Sequence, residues 1–343
     1  MRVRFYPHWT KREIKMGFKA YLAKRMIFAI VTIFIVLTVN FVIFELMPGD
    51  PMEVFASSAR LQSLEQVEIV REMFGLDQPM HIRYIKYITN MLTGQFGFSY
   101  HSRTAVSEGI MARLLNTLTL IGISTVLAIA IGVVAGVIAA QKRGGIYDST
   151  SVLASLLTYS LPSFWIGMVL LLIFHRNLGW FPGSGVVPYQ WAVTPPENLF
   201  VEIAGRLSHL FLPVVTLVLF QYGGFLLLTR ATMLETLTED YIITARAKGL
   251  KERTVLFKHA LKNASLPLIT NAAISFGFMF SGAIITEQVF TYPGLGYWLW
   301  QAINFNDYPV LQTMFFIISL CVIAANLIAD LLYGIIDPRI KYG

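Results

Sequence analysis

The chain has 343 residues, of which 55% are hydrophobic and 14% charged, whereas an ordinary soluble domain carries roughly a quarter charged residues. Its apolar residues gather in long runs that a soluble core would interrupt with charge, which excludes a soluble globule and makes lipid the solvent for much of the chain. The net charge of +7 does not gather on a soluble domain with interleaved aromatics, which argues against a nucleic-acid face, and a single cysteine, Cys321, rules out an internal disulfide or a cysteine-based metal site.

Residues 1–25 are basic. From Trp9 to Arg25, lysines and arginines stand beside Ile14, Phe18, Tyr21 and Leu22, the pattern of an interfacial helix that anchors the start of the first span. Six segments then meet the test of about 20 mainly apolar residues, the length that crosses a ~30 Å hydrocarbon layer at ~1.5 Å per residue. They are Met26 to Met47, Leu115 to Ala140, Thr150 to Phe174, Leu207 to Thr229, Ala264 to Thr286 and Val310 to Leu332. The expected fold is an all-α polytopic membrane protein with six transmembrane helices. The first run exceeds a signal-peptide apolar region of about 7–15 residues, and Met47-Pro48-Gly49-Asp50 is no small-residue cleavage site, so this span is expected to stay.

Residues 48–113 form an outer segment with helical pattern of its own. Ser63 and Gln66 make a capping box, Leu64, Val67, Val70 and Phe74 recur with helical spacing, and Gly75 supplies a stop. A second helix is expected after Pro79, with Met80, Tyr84, Tyr87, Ile88 and Met91 on one face and Gly94 at its end. The pair serves equally as a lid on the membrane interface or as a docking platform. Residues 114–337 hold the five further spans and a polar loop at about 231–263, and residues 338–343 form the tail.

Lysine and arginine sort by side. The segments before span one, after span two, between spans four and five, and after span six hold nineteen, and the alternating segments hold eight although they include the longest loop. The positive-inside rule therefore places both termini in the cytoplasm.

No ionisable residue stands at mid-depth, where ion-coupled carriers and ion channels keep theirs. Glu45, Arg230 and Asp330 fall near helix ends, and the six histidines show no metal-ligand spacing. Small residues recur every fourth position at Ala128, Gly132, Gly136 and Ala140, and again at Ala273, Gly277 and Ser281, a pattern that lets helices pack closely or slide. In span three, Ser160-Leu161-Pro162-Ser163 should kink the helix, because proline removes a backbone donor. Ser160, Pro162, Asn271, Ser275, Phe278 and Gly282 are the candidates for lining a solute path along spans three and five.

The loop after span four is the most informative stretch. Leu234, Leu237, Tyr241 and Ala245 keep helical spacing, acidic Glu239 and Asp240 precede basic Arg246 and Lys248, and Gly249 offers a stop at positive φ. A short helix and a tight turn are expected, then a second helix from Glu252 to Asn263 leading to Leu266-Pro267. Ala245 and Ala247 would let a partner approach closely; composition alone also fits a solvated connector. No G-x-x-x-x-G-K-[ST] phosphate loop occurs, so the chain binds no nucleotide of its own and is not an enzyme.

Tyr241-Ile242-Ile243-Thr244-Ala245-Arg246-Ala247-Lys248-Gly249-Leu250, with His259-Ala260-Leu261-Lys262-Asn263-Ala264 and Pro267, resembles the coupling motif of ABC importer membrane subunits in its oligopeptide and dipeptide permease version. Pro48-Gly49-Asp50-Pro51, Gly75-Leu76-Asp77-Gln78-Pro79, the block from Glu287 through Phe290 to Pro293-Gly294-Leu295-Gly296, and Asp307-Tyr308-Pro309-Val310 resemble the B-type subunit of that family. The resemblance implies a type I ABC importer permease fold in a prokaryotic cell membrane. It also implies a second related permease subunit, two cytoplasmic ATPases that bind ATP and magnesium, and an extracytoplasmic solute-binding protein. Asp240, Tyr241, Ala245, Arg246, Ala247, Lys248, Gly249 and Leu250 would couple to an ATPase, and Glu287, Pro293, Gly294, Gly296 and Asp307 would make contacts at the outer face. Thr244 stands where the broader importer pattern often has Glu, which matches the peptide-permease variant, and the N-terminal extension is longer than the family leads one to expect. Peptides, oligosaccharides, nickel chelates and glutathione are the solutes of similar proteins; an ion-driven carrier and a membrane scaffold are the competing classes.

Overall fold

The computed structural model describes residues 18–46 and 78–336, apart from the side chains of residues 18–20, 266, 270, 273–274, 276–282, 329 and 332–336. The expected helix around Ser63 to Phe74, the motif Pro48 to Pro51, the tail, and the side chains of Phe278, Gly282, Ala273, Gly277 and Ser281 lie outside that description. Among the described residues all regular structure is helical, apart from one isolated bridge between Phe98 and Ala105.

In chain order the helices are α1 (Phe18–Leu46), α2 (Met80–Thr93), α3 (Val106–Gln141), α4 (Ile146–Ser160), α5 (Ser163–Leu170), α6 (Leu199–Thr236), α7 (Asp240–Ala247), α8 (Leu261–Val289), α9 (Leu295–Asn304) and α10 (Tyr308–Ile336). Four stretches are long and apolar enough to cross a membrane, namely Tyr21–Leu46, Val106–Gln141, Leu199–Thr236 and Tyr308–Ile328, and α4 with its continuation to Asn177 makes a fifth if that bent pair counts as one span. The sixth expected span falls within α8, 29 residues long, many of whose side chains lie outside the description.

Three boundaries differ from expectation for physical reasons. While the rest of the expected interfacial stretch, from Trp9 to Gly17, lies outside the described residues, residues Phe18 to Arg25 form the first turns of α1. Their polar groups have a use there, since Arg25 meets Asp330 of α10 at 3.0 Å. Helices α3 and α6 have 36 and 38 residues, so at ~1.5 Å per residue each projects beyond a ~30 Å hydrocarbon layer. Span three is not one kinked helix. At Leu161 and Pro162 the backbone turns extended, with ψ of 137° and 139°, and α4 and the stretch from Ser163 meet at 102°. Proline forbids its own helical donor and pushes the residue before it out of the α region, so the two effects together break the helix.

The small-residue stripe of α3 is a packing face. A Cβ on Gly132 would lie 2.6 Å from Phe225 Cβ, and one on Gly136 would lie 2.7 Å from the Leu226 carbonyl oxygen, so the backbones of α3 and α6 touch where no larger residue fits. Helix α2 packs inward, with Tyr87 and Met91 buried against Leu37, Phe41 and Phe316 of α1 and α10. Asn40 donates to the Tyr87 hydroxyl at 2.7 Å and to the Gln312 carbonyl at 2.9 Å. Burial pushes the Tyr87 phenol up to about 12, opposed by the Asn40 bond. Arg83 pairs with Glu45 at 2.8 Å, so the expected amphipathic face of α2 binds the bundle rather than a membrane surface. His175 and His209 each hydrogen-bond through Nδ1 to a carbonyl of the loop joining spans three and four, Phe181 at 2.9 Å and Ser184 at 2.8 Å.

Candidate functional site

The polar loop folds as α7 between two turns. Helix α6 ends at Thr236, and the turn Leu237 to Glu239 resets the helical phase before α7 begins at Asp240. Ile242 and Ala245, three residues apart, are consequently the buried face. They join Val137 and Ala140 of α3, Met233 of α6, Val255, Leu256, Ala260 and Ala264 in one apolar cluster. The expectation that Ala245 meets a partner is therefore corrected: its side chain is 6% exposed and packs within its own chain. Ala247 is exposed, as are Asp240, Tyr241, Ile243, Thr244, Arg246, Lys248, Gly249 and Leu250. Ile243 and Ala247, one turn apart, give the exposed side of α7 an apolar strip with Arg246 beside it, and Leu250 is exposed past the cap.

The end of α7 is fixed twice. Gly249 has φ +74°, and around it the Leu250 N–H donates to Ala245 O at 3.4 Å and the Gly249 N–H to Arg246 O at 2.9 Å. This is the 6→1 and 5→2 pattern of a Schellman cap. Arg246 then reaches across the turn to Glu252, Nη2 to Oε1 at 2.8 Å and Nε to Oε2 at 3.3 Å. The bond to Glu252 raises the Arg246 pKa above its ordinary value; the pair is exposed, so its value is in geometry more than in stability. Past Lys251 the chain resumes as Glu252–Thr254, passes through a π-helical stretch Val255–Ala260 and enters α8, which continues through Pro267. No atom lies within 4 Å of a Cβ placed on Gly249. Gly249→Val is thus expected to act through backbone strain alone, of about 1–2 kcal/mol. It should leave membrane insertion intact while lowering coupled uptake severalfold, as read by transport assays on quantified, assembled protein.

At the opposite end of the bundle, the residues expected to make outer contacts turn inward. Glu287 is fully buried: its Oε1 accepts from the Thr117 hydroxyl at 2.7 Å and its Oε2 from the Tyr297 N–H at 2.9 Å, and Thr117 accepts from the Leu295 N–H at 2.8 Å. Gly294 and Gly296 are required by close approach, the first to the Glu287 carboxylate and the second to Ile284 Cα, 2.5 Å from a built Cβ. The Pro293 carbonyl accepts from Asn116 at 2.9 Å. Asp307, 1% exposed, holds the loop after α2, accepting from the Tyr100 N–H at 3.0 Å, the His101 N–H at 3.2 Å and the Ser99 hydroxyl. These five residues shape this end of the bundle, and the two carboxylates, both buried, are turned inward.

Of the path candidates, Ser160 and Pro162 are exposed at the helix break, and Asn271 and Ser275 are half-buried on α8. Sequence reading missed two polar features. The Gln221 amide oxygen, mid-way along α6, is buried without a hydrogen-bond partner. Asp148 and Arg230 form an ion pair between α4 and α6, Nη2 to Oδ2 at 2.8 Å. A glutamine inside an apolar run was the available signal for the first; two residues 82 apart in sequence gave none for the second. Among the described residues no group of histidine, cysteine and carboxylate could hold a metal ion.

Residues 132–342 match the family described as the binding-protein-dependent transport system inner membrane component, and residues 18–121 match the N-terminal family of the same membrane components. The chain is 39% identical over 326 residues to the oligopeptide transport system permease protein AppB of Bacillus subtilis (strain 168), covering 94% of this chain and 99% of that one. It is 35% identical over 333 residues to the di/tripeptide transport system permease protein DppB of Pseudomonas aeruginosa (strain UCBPP-PA14), with coverage of 94% and 99%. Against the glutathione transport system permease protein GsiC of Escherichia coli (strain K12) the identity is 37% over 322 residues, again covering 94% and 99%. A helical bundle with membrane-length apolar helices, carrying a rigidly capped polar helix at one end and matching this family along nearly its whole length, belongs to the inner membrane permease components of binding-protein-dependent ABC importers.

Proposed function

We propose that this chain is one membrane half of an ATP-driven importer of peptides or peptide-like solutes. It crosses the membrane six times with both termini in the cytoplasm, pairs with a second related permease subunit, and takes its solute from an extracytoplasmic binding protein. Two partner ATPases hold ATP and magnesium, and the chain itself does no bond-breaking chemistry. The observation that carries this reading is α7: its inner face is locked into an apolar cluster, its end is capped and clasped, and Ile243, Ala247 and, past the cap, Leu250 remain exposed. A rigid helix with an exposed apolar strip suits transmission of force from a protein groove, because little motion is lost in bending. The excess of lysine and arginine on that side supports a cytoplasmic position. The solute path runs past the broken span and α8, where Ser160, Pro162, Asn271 and Ser275 offer polar or open positions, with Phe278 and Gly282 on the same helix as the last two.

Peptide is preferred to oligosaccharide because the relatives named above are peptide and glutathione permeases. The complex reconstituted in liposomes should take up solute with ATP and loaded binding protein, and uptake should survive ionophores that collapse ion gradients. Uptake that follows the gradient and ignores ATP would establish a secondary carrier instead.

A further inference from the structure

Helix α4 lies along α6 on one stripe, where Ser151, Val152 and Thr158 are half-buried between and beyond two fully buried residues. Its buried residues are Asp148 and Ser155, while Leu153, Leu156, Leu157 and Tyr159 are exposed. At Ser155 the contact is smooth: its carbonyl oxygen would lie 2.7 Å from a Cβ on Gly223 of α6, so two backbones meet without an interlocking side chain. Such a contact fixes distance but resists sliding weakly. At Asp148 the contact is directional. Arg230 donates from both Nε and Nη2 to the two carboxylate oxygens, Nη2 to Oδ2 at 2.8 Å, and Oδ2 also accepts the Gly144 N–H at 2.9 Å. The carboxylate side chain is 5% exposed and the guanidinium side chain 28%. A fork-on-fork pair fixes orientation as well as separation. Desolvation offsets much of what such a pair adds to stability, and its best-attested use is to set register between elements.

The two ends of this joint lead to the two parts that a coupled transporter must connect. Arg230 stands in the last turns of α6, which passes through Leu237 to Glu239 directly into α7, and Met233, one turn beyond Arg230, is in the same buried cluster as Ile242 and Ala245. Asp148 stands in the first turn of α4, whose far end is the break at Leu161 and Pro162. We propose that the Asp148–Arg230 pair is the mechanical joint that carries displacement of α7 to the broken span, so that both are positioning residues of transport. This rests on the importer reading above and adds to it the route by which motion enters the bundle.

The test uses the complete complex in liposomes, reading solute transported per ATP hydrolysed. Asp148→Asn and Arg230→Gln should lower that ratio at least tenfold while hydrolysis still responds to loaded binding protein. Arg230→Lys, which keeps the charge but loses the fork, should fall between. The exchange Asp148→Arg with Arg230→Asp should recover at least threefold over either single variant. A second reading keeps the wild-type pair: with Cys321 replaced by alanine and spin labels at Leu153 of α4 and exposed Thr244 of α7, the distance should stay constant when the wild-type pair is trapped with nucleotide. It should change in Arg230→Lys. Wild-type transport per ATP in the single variants, or a label distance that changes in the wild-type pair, would overturn the joint and leave the importer reading standing. Absence of ATP-driven uptake by the unaltered complex would instead remove the importer reading, and the joint with it.

Discussion

Ala245→Glu is expected to abolish ATP-driven uptake by unseating α7, whereas Ala247→Glu, two positions on, should leave the fold intact and weaken only attachment of the ATPase. Ala245 is packed among Met233, Ile242, Val255 and Leu256, and the members of that cluster are all apolar. A glutamate there must either bury an unpaired carboxylate or pull the helix out into water. Each route costs several kcal/mol, about 3–5 for an uncompensated buried charge, and the added volume brings about 1–3 more from overpacking. Ala247 is exposed, so a glutamate at that position meets water in the free chain and matters only where a partner excludes it. The check is paired: thermal stability of the purified chain in detergent, and co-purification of the ATPase. Ala245→Glu should lower the first, and Ala247→Glu only the second. Equal stability for the two variants would mean that α7 does not sit against the α3 and α6 ends as described.

The second large effect belongs to the end of the bundle where α8 meets α9. A Cβ on Gly294 would clash with all three atoms of the Glu287 carboxylate, and that carboxylate has nowhere to retreat, being fully buried with Thr117 and the Tyr297 N–H as its partners. Gly294→Val therefore displaces it from both bonds and leaves several buried polar groups unmet. At about 1–3 kcal/mol for each neutral group, and more for the carboxylate, the loss should open the corner where α8 turns into α9, together with the Thr117 tie to the Leu295 N–H. The expected result is loss of most folded protein from the membrane. Glu287→Ala added to Gly294→Val removes the collision and should recover part of the yield, though the Thr117 hydroxyl then lacks its acceptor. Recovery to no degree would place the damage elsewhere than at this carboxylate.

Much of this architecture is legible in the apolar runs, because a run of about 20 residues has few soluble uses. The stripe Ala128, Gly132, Gly136 and Ala140 also reads directly as a packing face, since spacing alone puts those residues in one row. What stayed hidden was of two kinds. Pro162 announces a disturbed helix but not its angle, which depends on what α5 packs against after the break. Pairings such as Asp148 with Arg230, Arg83 with Glu45 and Arg25 with Asp330 join residues far apart in sequence, and a single sequence carries no local pattern for them. The loop shows the same limit at close range. Leu234, Leu237, Tyr241 and Ala245 share a face only if one helix runs through them, and the turn at Leu237 to Glu239 resets the phase. Ile242 and Ala245 then point inward, and Ala247 becomes the small residue at the surface. The outer glutamate and aspartate were visible as members of a motif, but their burial comes from Gly294, Gly296 and the loop after α2 closing over them, which spacing does not disclose.

Docking of the exposed strip of α7 on an ATPase should be visible by cross-linking. In a chain whose one native cysteine, Cys321, is replaced by alanine, single cysteines at Ile243, Ala247 and Leu250 should each cross-link to the ATPase subunit in membranes holding the whole complex. The yield should change when nucleotide is bound, and a cysteine at exposed Tyr189, in the loop joining spans three and four, should give no such product. Equal cross-linking from Tyr189, or none from Ile243, Ala247 or Leu250 in an assembled complex, would show that α7 does not dock there.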